Sequence, residues 1–136
     1  MNTMNTLITI DLAGNLLLVI FGALMLFHLL VILGAIPYNI VWGGRIKNKS
    51  QMLKLELISI FVLLTASFII SIELGYVNII INDLVISGAL WVLFFLFCIN
   101  TLGNIKAENP FEKYVFGFLT TIISLLVLRL PISWIK

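Results

Sequence analysis

The chain has 136 residues, of which 62% are hydrophobic and 10% charged, and its mean hydropathy is +1.21. Soluble domains contain roughly 45 to 50% apolar and about 25% charged residues, so this composition excludes a soluble globular domain. The net charge is +2, and the basic residues form short clusters between apolar runs, which argues against nucleic acid as a partner. We therefore predict an all-α integral membrane protein in which residues 1–136 form one membrane domain.

Four apolar segments are long enough to cross a bilayer, which takes about 20 helical residues. The predicted spans are 16–42, 55–74, 84–103 and 114–130. Because the connecting loops are short, consecutive spans should be neighbours that run in opposite directions, as in an antiparallel four-helix bundle. We expect the first span to be retained, since no basic residue precedes it as in a cleaved signal peptide.

Proline residues indicate how two of these spans end or begin. Pro37 predicts a kink near the end of the long first span, with Tyr38 and Trp42 as interfacial aromatic residues. Asn109 followed by Pro110 predicts a turn that also starts the fourth span, because proline is tolerated in a first helical turn.

The distribution of Lys and Arg predicts the orientation. Six basic residues lie in the first and third loops and two lie on the other side: Arg45, Lys47, Lys49, Lys54, Lys106 and Lys113 against Arg129 and Lys136. Basic loops remain in the cytoplasm, so both termini are predicted outside, and we place the chain in a bacterial plasma membrane.

His28 is an ionisable residue placed by the prediction near the middle of the first span. Such a residue costs about 2.5 to 3.5 kcal/mol to insert, so its presence needs a reason. It is the only histidine, which excludes a haem with two axial histidines from this chain. The imidazole could hydrogen-bond to a neighbouring helix, or it could serve as a ligand or proton relay.

Glu73 and Arg129 are predicted at the same depth. Each lies about 25 Å of helix from the inner edge of its span, counted from Glu56 and Lys113 respectively. Three interpretations stay open: Arg129 snorkels to the outer interface, the two side chains form a structural ion pair, or they form a substrate or ion site.

Asn39 and Asn100 are also expected to face the interior of the bundle. Each lies six residues before a basic residue at the end of its span, Arg45 or Lys106. The hairpin of the first two spans aligns with the hairpin of the last two at an offset of about 60 residues. This similarity indicates either a parallel internal repeat or only the polar residues that commonly end helices. Both asparagines could hydrogen-bond across helices at one depth. Glu56, by contrast, is predicted in the first turn of the second span, where a negative charge interacts favourably with the helix dipole. The spacing of 14 residues predicts that His28 and Trp42 lie at different depths in the membrane.

Small polar residues mark the faces on which helices should pack. The predicted packing residues are Gly117, Thr121, Ser124, Ser67 and Ser71. Stripes of this kind let helix backbones approach closely, so we expect these faces to point away from lipid.

The sequence contains no phosphate-binding loop, catalytic motif or metal-ligand spacing, and its one cysteine, Cys98, excludes an intrachain disulfide. No metal or cofactor is predicted, and an enzyme is disfavoured because no second group is placed beside His28. The preferred hypothesis is a small, homo-oligomeric membrane protein that binds or transports a small solute or lipid. The alternative is a non-catalytic accessory or assembly subunit that contacts membrane lipids and a partner membrane protein.

Overall fold

A computed structural model describes residues 8–132, and these are all-helical with no strand among them. The four long helices are α1 (Ile10–Ile32), α2 (Lys49–Glu73), α3 (Asp83–Ile105) and α4 (Gly117–Ile132), the last preceded by a π-helical turn at Glu112–Phe116. All four helical segments are long and apolar enough to cross a membrane when the π-helical turn is counted with α4. The predicted helical class and the number of long apolar helices are therefore confirmed. Lys136, one of the two basic residues predicted on the outer side, lies outside the described residues.

The first helix ends ten residues earlier than the predicted span 16–42. The helix closes at Gly34, whose φ of +79° is a conformation that favours glycine. The N–H groups of Gly34 and Ala35 bond to carbonyls of the last turn of α1, at 3.0 and 2.9 Å, as in a Schellman motif. Pro37 therefore does not kink α1, because the helix has already ended before it.

Residues 33–48 fold back beneath the bundle instead of continuing the helix. They contain two short 3-10 turns, Tyr38–Ile40 and Trp42–Gly44. Val41 and Ile46 are buried against side chains of α1 and α2 and form a small second core at this end of the molecule. The segment is thus an ordered, packed part of the structure.

The second helix starts six residues earlier than predicted, at Lys49. Asn48 caps it, since the Asn48 Oδ1 atom accepts a hydrogen bond from the Gln51 N–H at 2.9 Å. The Gln51 Oε1 atom accepts one from the Lys47 N–H at 3.0 Å. Consequently Glu56 is the eighth residue of α2, two turns inside the helix, and the helix-dipole explanation of this residue is wrong.

A central apolar core joins all four helices. Its middle contains the stacked rings of Phe21 on α1 and Phe97 on α3, with centroids 5.4 Å apart. Helix α1 packs on α2 and α4, and α3 packs on α4, whereas α2 and α3 make few contacts with each other. Large apolar side chains on the outward faces are exposed, among them Val19, Phe61, Val92 and Phe118.

The two ends of the molecule differ in charge. The basic end is formed by residues 33–54 and 106–113 and carries six exposed Lys and Arg side chains. At the opposite end the start of α1 meets the ends of α2 and α4: the Tyr76 hydroxyl donates to Asn15 Oδ1, and the Arg129 Nε–H donates to the Ile8 carbonyl, both at 2.9 Å.

Candidate functional site

A buried carboxyl group holds together two side chains from the first third of the chain. Glu56 on α2 is 0% exposed. Its Oε2 atom lies 2.5 Å from His28 Nδ1, and its Oε1 atom accepts a hydrogen bond from the Trp42 indole N–H at 2.9 Å. This His28–Glu56–Trp42 triad connects α1, the fold-back segment and α2.

The fold-back of residues 33–48 creates the triad. His28 lies four residues before the end of α1, so it is close to the basic end and not at the middle of a span. The chain then reverses, and Trp42 adopts a φ of +58°, a strained conformation for a side chain of this size. The sequence-based placement of His28 and Trp42 on different membrane levels is therefore wrong. The prediction that no second group lies beside His28 is also wrong, because Glu56 contacts it.

Two members of the triad, His28 and Trp42, line a cavity of about 380 Å³. This volume is within the range of roughly 300 to 1,000 Å³ for small-molecule sites. Apolar side chains make up most of the wall, including Phe97 from the central core. The polar side chains on the wall are His28, Trp42, Ser59, Asn100, Asn104, Glu112 and Thr120.

The cavity lies where α2 and α3 separate. Ile58 of α2 and Ile99 of α3 line it, and they are 56% and 70% exposed, so the cavity opens through an apolar surface. Asn100 lies next to Ile99 and is exposed, and its side-chain amide has no hydrogen-bond partner in the described part of the chain. A polar amide without a partner at an apolar rim is costly in hydrocarbon unless a ligand or another molecule meets it.

The wall opposite the triad comes from α3 and the π-helical turn. The Asn104 amide donates to the Thr120 hydroxyl at 3.3 Å, and this hydroxyl donates to the Phe116 carbonyl at 2.7 Å. The π-helical turn places Glu112 on the cavity wall, where it is 8% exposed. Irregular helical turns of this type occur frequently at functional sites.

The predicted polar residues do not come together at one site. His28 and Asn100 line the cavity, whereas Asn39 is exposed on a 3-10 turn and does not line it. Glu73 and Arg129 lie at the opposite end, and within residues 8–132 no salt bridge joins them. The cavity is thus distinct from the predicted pair at the outer boundary.

The predicted repeat has no counterpart in the local structure. Asn39 follows the end of α1 and lies in a 3-10 turn, while Asn100 lies inside α3 with five more helical residues after it. The two hairpins therefore end in different conformations, and their asparagines do not occupy equivalent positions.

The predicted packing residues are only partly on inner faces. Gly117 and Ser124 are buried, and a Cβ atom at Gly117 would lie 3.3 Å from the Ile105 side chain. Thr121 is exposed, whereas its neighbour Thr120 is buried. Ser67 and Ser71 are half-buried, and the Ser71 hydroxyl donates to the Ser67 carbonyl of its own helix at 2.8 Å.

Sequence reasoning missed four residues of the site: Glu56, Trp42, Asn104 and Glu112. Two sequence signals could have indicated the first two. Gly34 followed by Pro37 is a helix-stop pattern, and Asn48 with Gln51 three residues later is a helix-start pattern. Together they predict a short reversal after His28 and place Glu56 inside the second helix.

Within the described residues, no group of three or more His, Cys, Asp or Glu side chains could hold a metal ion. No protein-family model matches the chain, and neither does any curated protein or solved structure. An inference about function therefore depends on the geometry of the cavity.

Proposed function

We propose that the chain is an integral membrane protein, built as an antiparallel bundle of four spanning helices, which binds a small amphiphilic molecule in the cavity between α2 and α3. One observation carries this proposal: a cavity with a polar inner wall opens through an apolar outer surface. The apolar rim suits a hydrocarbon chain, and the polar wall suits a head group. Pockets that bind small molecules combine apolar walls with a few convergent polar groups in this way.

The exposed apolar surface supports a membrane location independently of the cavity. Outward-facing apolar side chains are exposed on all four helices, which in water would be a large aggregation-prone surface. In hydrocarbon the same side chains are favourable. The basic end then faces the cytoplasm and both termini lie outside, in a bacterial plasma membrane.

Labelling of single cysteines tests this orientation. In a Cys98→Ser background, Asn78→Cys lies in the loop after α2 and Ser50→Cys lies at the basic end; both positions are exposed. We expect a membrane-impermeant maleimide to label Asn78→Cys on intact cells and Ser50→Cys only after permeabilisation. The reverse pattern would contradict the orientation, and labelling of both on intact cells would contradict spanning helices.

Native mass spectrometry of the protein purified in a mild detergent tests the binding function. We expect wild-type protein to retain a specific small amphiphile and Asn100→Leu to lose it, because the substitution removes the amide at the cavity rim. Thr65→Leu is the matched control, since Thr65 is an exposed polar residue of α2 that does not line the cavity. This variant should retain the molecule.

The same spectrum distinguishes the alternatives. Four helices are too few to enclose a path across the bilayer, so a transport role would require a homo-oligomer, whose mass the spectrum gives. Protein that carries no small molecule in any preparation would contradict the binding proposal. A chain that carries a second polypeptide in fixed ratio and no small molecule would instead support an accessory subunit.

A further inference from the structure

Two polar side chains on the cavity wall make no hydrogen bond to the part of the chain that the structure describes: Ser59 on α2 and Asn100 on α3. The other five polar side chains of the wall already have partners within the protein: His28, Trp42, Asn104, Glu112 and Thr120. A bound molecule can therefore bond to Ser59 and Asn100 without breaking an existing hydrogen bond.

Ser59 differs from most hydroxyl-bearing residues of these helices. A Ser or Thr hydroxyl inside a helix can donate to the carbonyl four residues earlier. Six hydroxyls in the described helices do so, at 2.7 to 2.9 Å: Thr65, Ser71, Thr101, Thr120, Thr121 and Ser124. Ser59 is half-buried and has no such bond within residues 8–132. Its hydroxyl is thus available to a molecule in the cavity.

Two contacts with α1 allow depths on α2 and α3 to be compared. On α3, Phe97 stacks on Phe21 of α1. On α2, Glu56 contacts His28 of α1. Since Phe21 and His28 are seven residues apart in one helix, the contact with α2 lies about 10.5 Å nearer the basic end than the ring stack.

Ser59 and Asn100 lie at nearly the same depth on this scale. Asn100 follows Phe97 by three residues and so lies about 4.5 Å from the ring stack toward the basic end. Ser59 follows Glu56 by three residues in a helix that runs away from the basic end, and so lies about 6 Å from the ring stack. The two side chains therefore line the gap between α2 and α3 at depths about 1.5 Å apart.

The ionisable side chains on the wall are already engaged. His28 contacts Glu56, and Glu112 has a partner within the protein. No Lys or Arg of the described chain lines the cavity. Ser59 and Asn100 are neutral, so hydrogen bonds from them offset little of the cost of placing a charge in hydrocarbon.

From these observations we infer that Ser59 and Asn100 together hold the head group of the bound amphiphile, and that this head group is neutral, a hydroxyl or a primary amide. Each of the two side chains can both donate and accept a hydrogen bond, as can a hydroxyl or an amide. One head group placed between α2 and α3 can therefore bond to both. Its hydrocarbon chain leaves through the apolar rim at Ile58 and Ile99. This ligand class rests on the proposed binding function and narrows it.

Four probes with the same number of non-hydrogen atoms test the class of head group: tridecanol, tridecylamine, dodecanoate and tetradecane. Each is titrated into wild-type protein in a neutral detergent, and affinity is measured by native mass spectrometry together with the shift in Tm. We expect tridecanol to bind about tenfold more tightly than tetradecane, because only the alcohol bonds to the two side chains. The two ionised probes should bind at least about tenfold more weakly than tridecanol.

Substitution of either side chain tests where the head group binds. In Ser59→Ala and in Asn100→Leu we expect tridecanol affinity to fall about threefold to tenfold, and tetradecane affinity to fall less than about twofold. Ser67→Ala is the matched control. Ser67 lies about two turns further along α2, its hydroxyl also has no partner in the described chain, and it does not line the cavity. This variant should leave both affinities unchanged.

Three results would overturn this assignment of the head group. The first is binding that is equal for all four probes, and the second is tightest binding of an ionised probe. The third is a dimer that Asn100→Leu dissociates, because a second copy would then meet the Asn100 amide. The comparison of probes on wild-type protein does not require any variant to fold.

A bulky substitution separates these failures from that of the proposed function. Val62 on α2 is half-buried and lines the cavity, so Val62→Trp should fill part of it. If the four probes bound alike and Val62→Trp abolished their binding, the head-group class would be wrong while a binding cavity was supported. If Val62→Trp left the binding of every probe unchanged, the proposed binding function would be contradicted as well.

Discussion

Replacing Glu56 by leucine is expected to destabilise the protein by about 3 to 5 kcal/mol, because it removes a buried carboxyl group that is hydrogen-bonded to two side chains. The substitution leaves the Trp42 indole N–H and His28 Nδ1 without their acceptor, although the volume of the side chain is nearly kept. Glu56→Gln retains one carbonyl oxygen and should cost less, about 1 to 3 kcal/mol. The measurement is unfolding by added denaturing detergent, followed by the loss of helical circular dichroism.

The control for this prediction is Glu108→Gln, which alters an exposed carboxyl group and should change stability by less than about 0.5 kcal/mol. A double-mutant cycle of Glu56→Leu with Trp42→Phe should give a coupling energy clearly different from zero, since the two residues share a hydrogen bond. Unchanged stability of Glu56→Leu would show that the triad does not hold α1, the fold-back segment and α2 together.

The second large effect is expected at Phe21, whose ring is fully buried and stacks on Phe97. Phe21→Ala removes this packing and leaves a hole in the central core, which typically costs about 3 to 5 kcal/mol. Phe61→Ala removes the same side chain from a position that is 69% exposed and should cost far less. The same unfolding measurement compares the two variants.

Phe21 also supports the cavity without lining it, because Phe97 is part of the cavity wall. We therefore expect Phe21→Ala to lower retention of a bound amphiphile in native mass spectra, whereas Phe61→Ala should leave retention unchanged. Equal losses of stability in the two variants would contradict a central core at Phe21.

Several features of the fold could be predicted because their causes are local. Length and hydropathy predict four long apolar helices, and the Asn109–Pro110 turn precedes the last helical segment as expected: the Asn109 Oδ1 atom accepts a hydrogen bond from the Phe111 N–H at 2.8 Å. The early end of α1 and the early start of α2 were equally predictable. Gly34 with Pro37 stops a helix, and Asn48 with Gln51 starts one, through backbone conformation and hydrogen bonds to neighbouring residues.

The site could not be predicted in the same way, since its parts meet only in the folded chain. Hydropathy favours counting Trp42 into the first span, and only the packing of Val41 and Ile46 beneath the bundle brings its indole group to Glu56. Similarly, Thr120 and Thr121 are adjacent in sequence and of one type. The rotation of α4 against α3 buries the first and exposes the second.

The amino-acid sequence thus specifies where helices occur and where they stop, because capping, turn conformation and apolar length act within a few residues. Which side chains share a cavity is decided by the tertiary structure. Helices α2 and α3 separate while α1 and α3 each pack on α4, and polar groups from all four helices, the fold-back segment and the π-helical turn line the space that remains. The set of side chains that line the cavity depends on packing between residues far apart in the chain, and the local sequence pattern does not determine that packing.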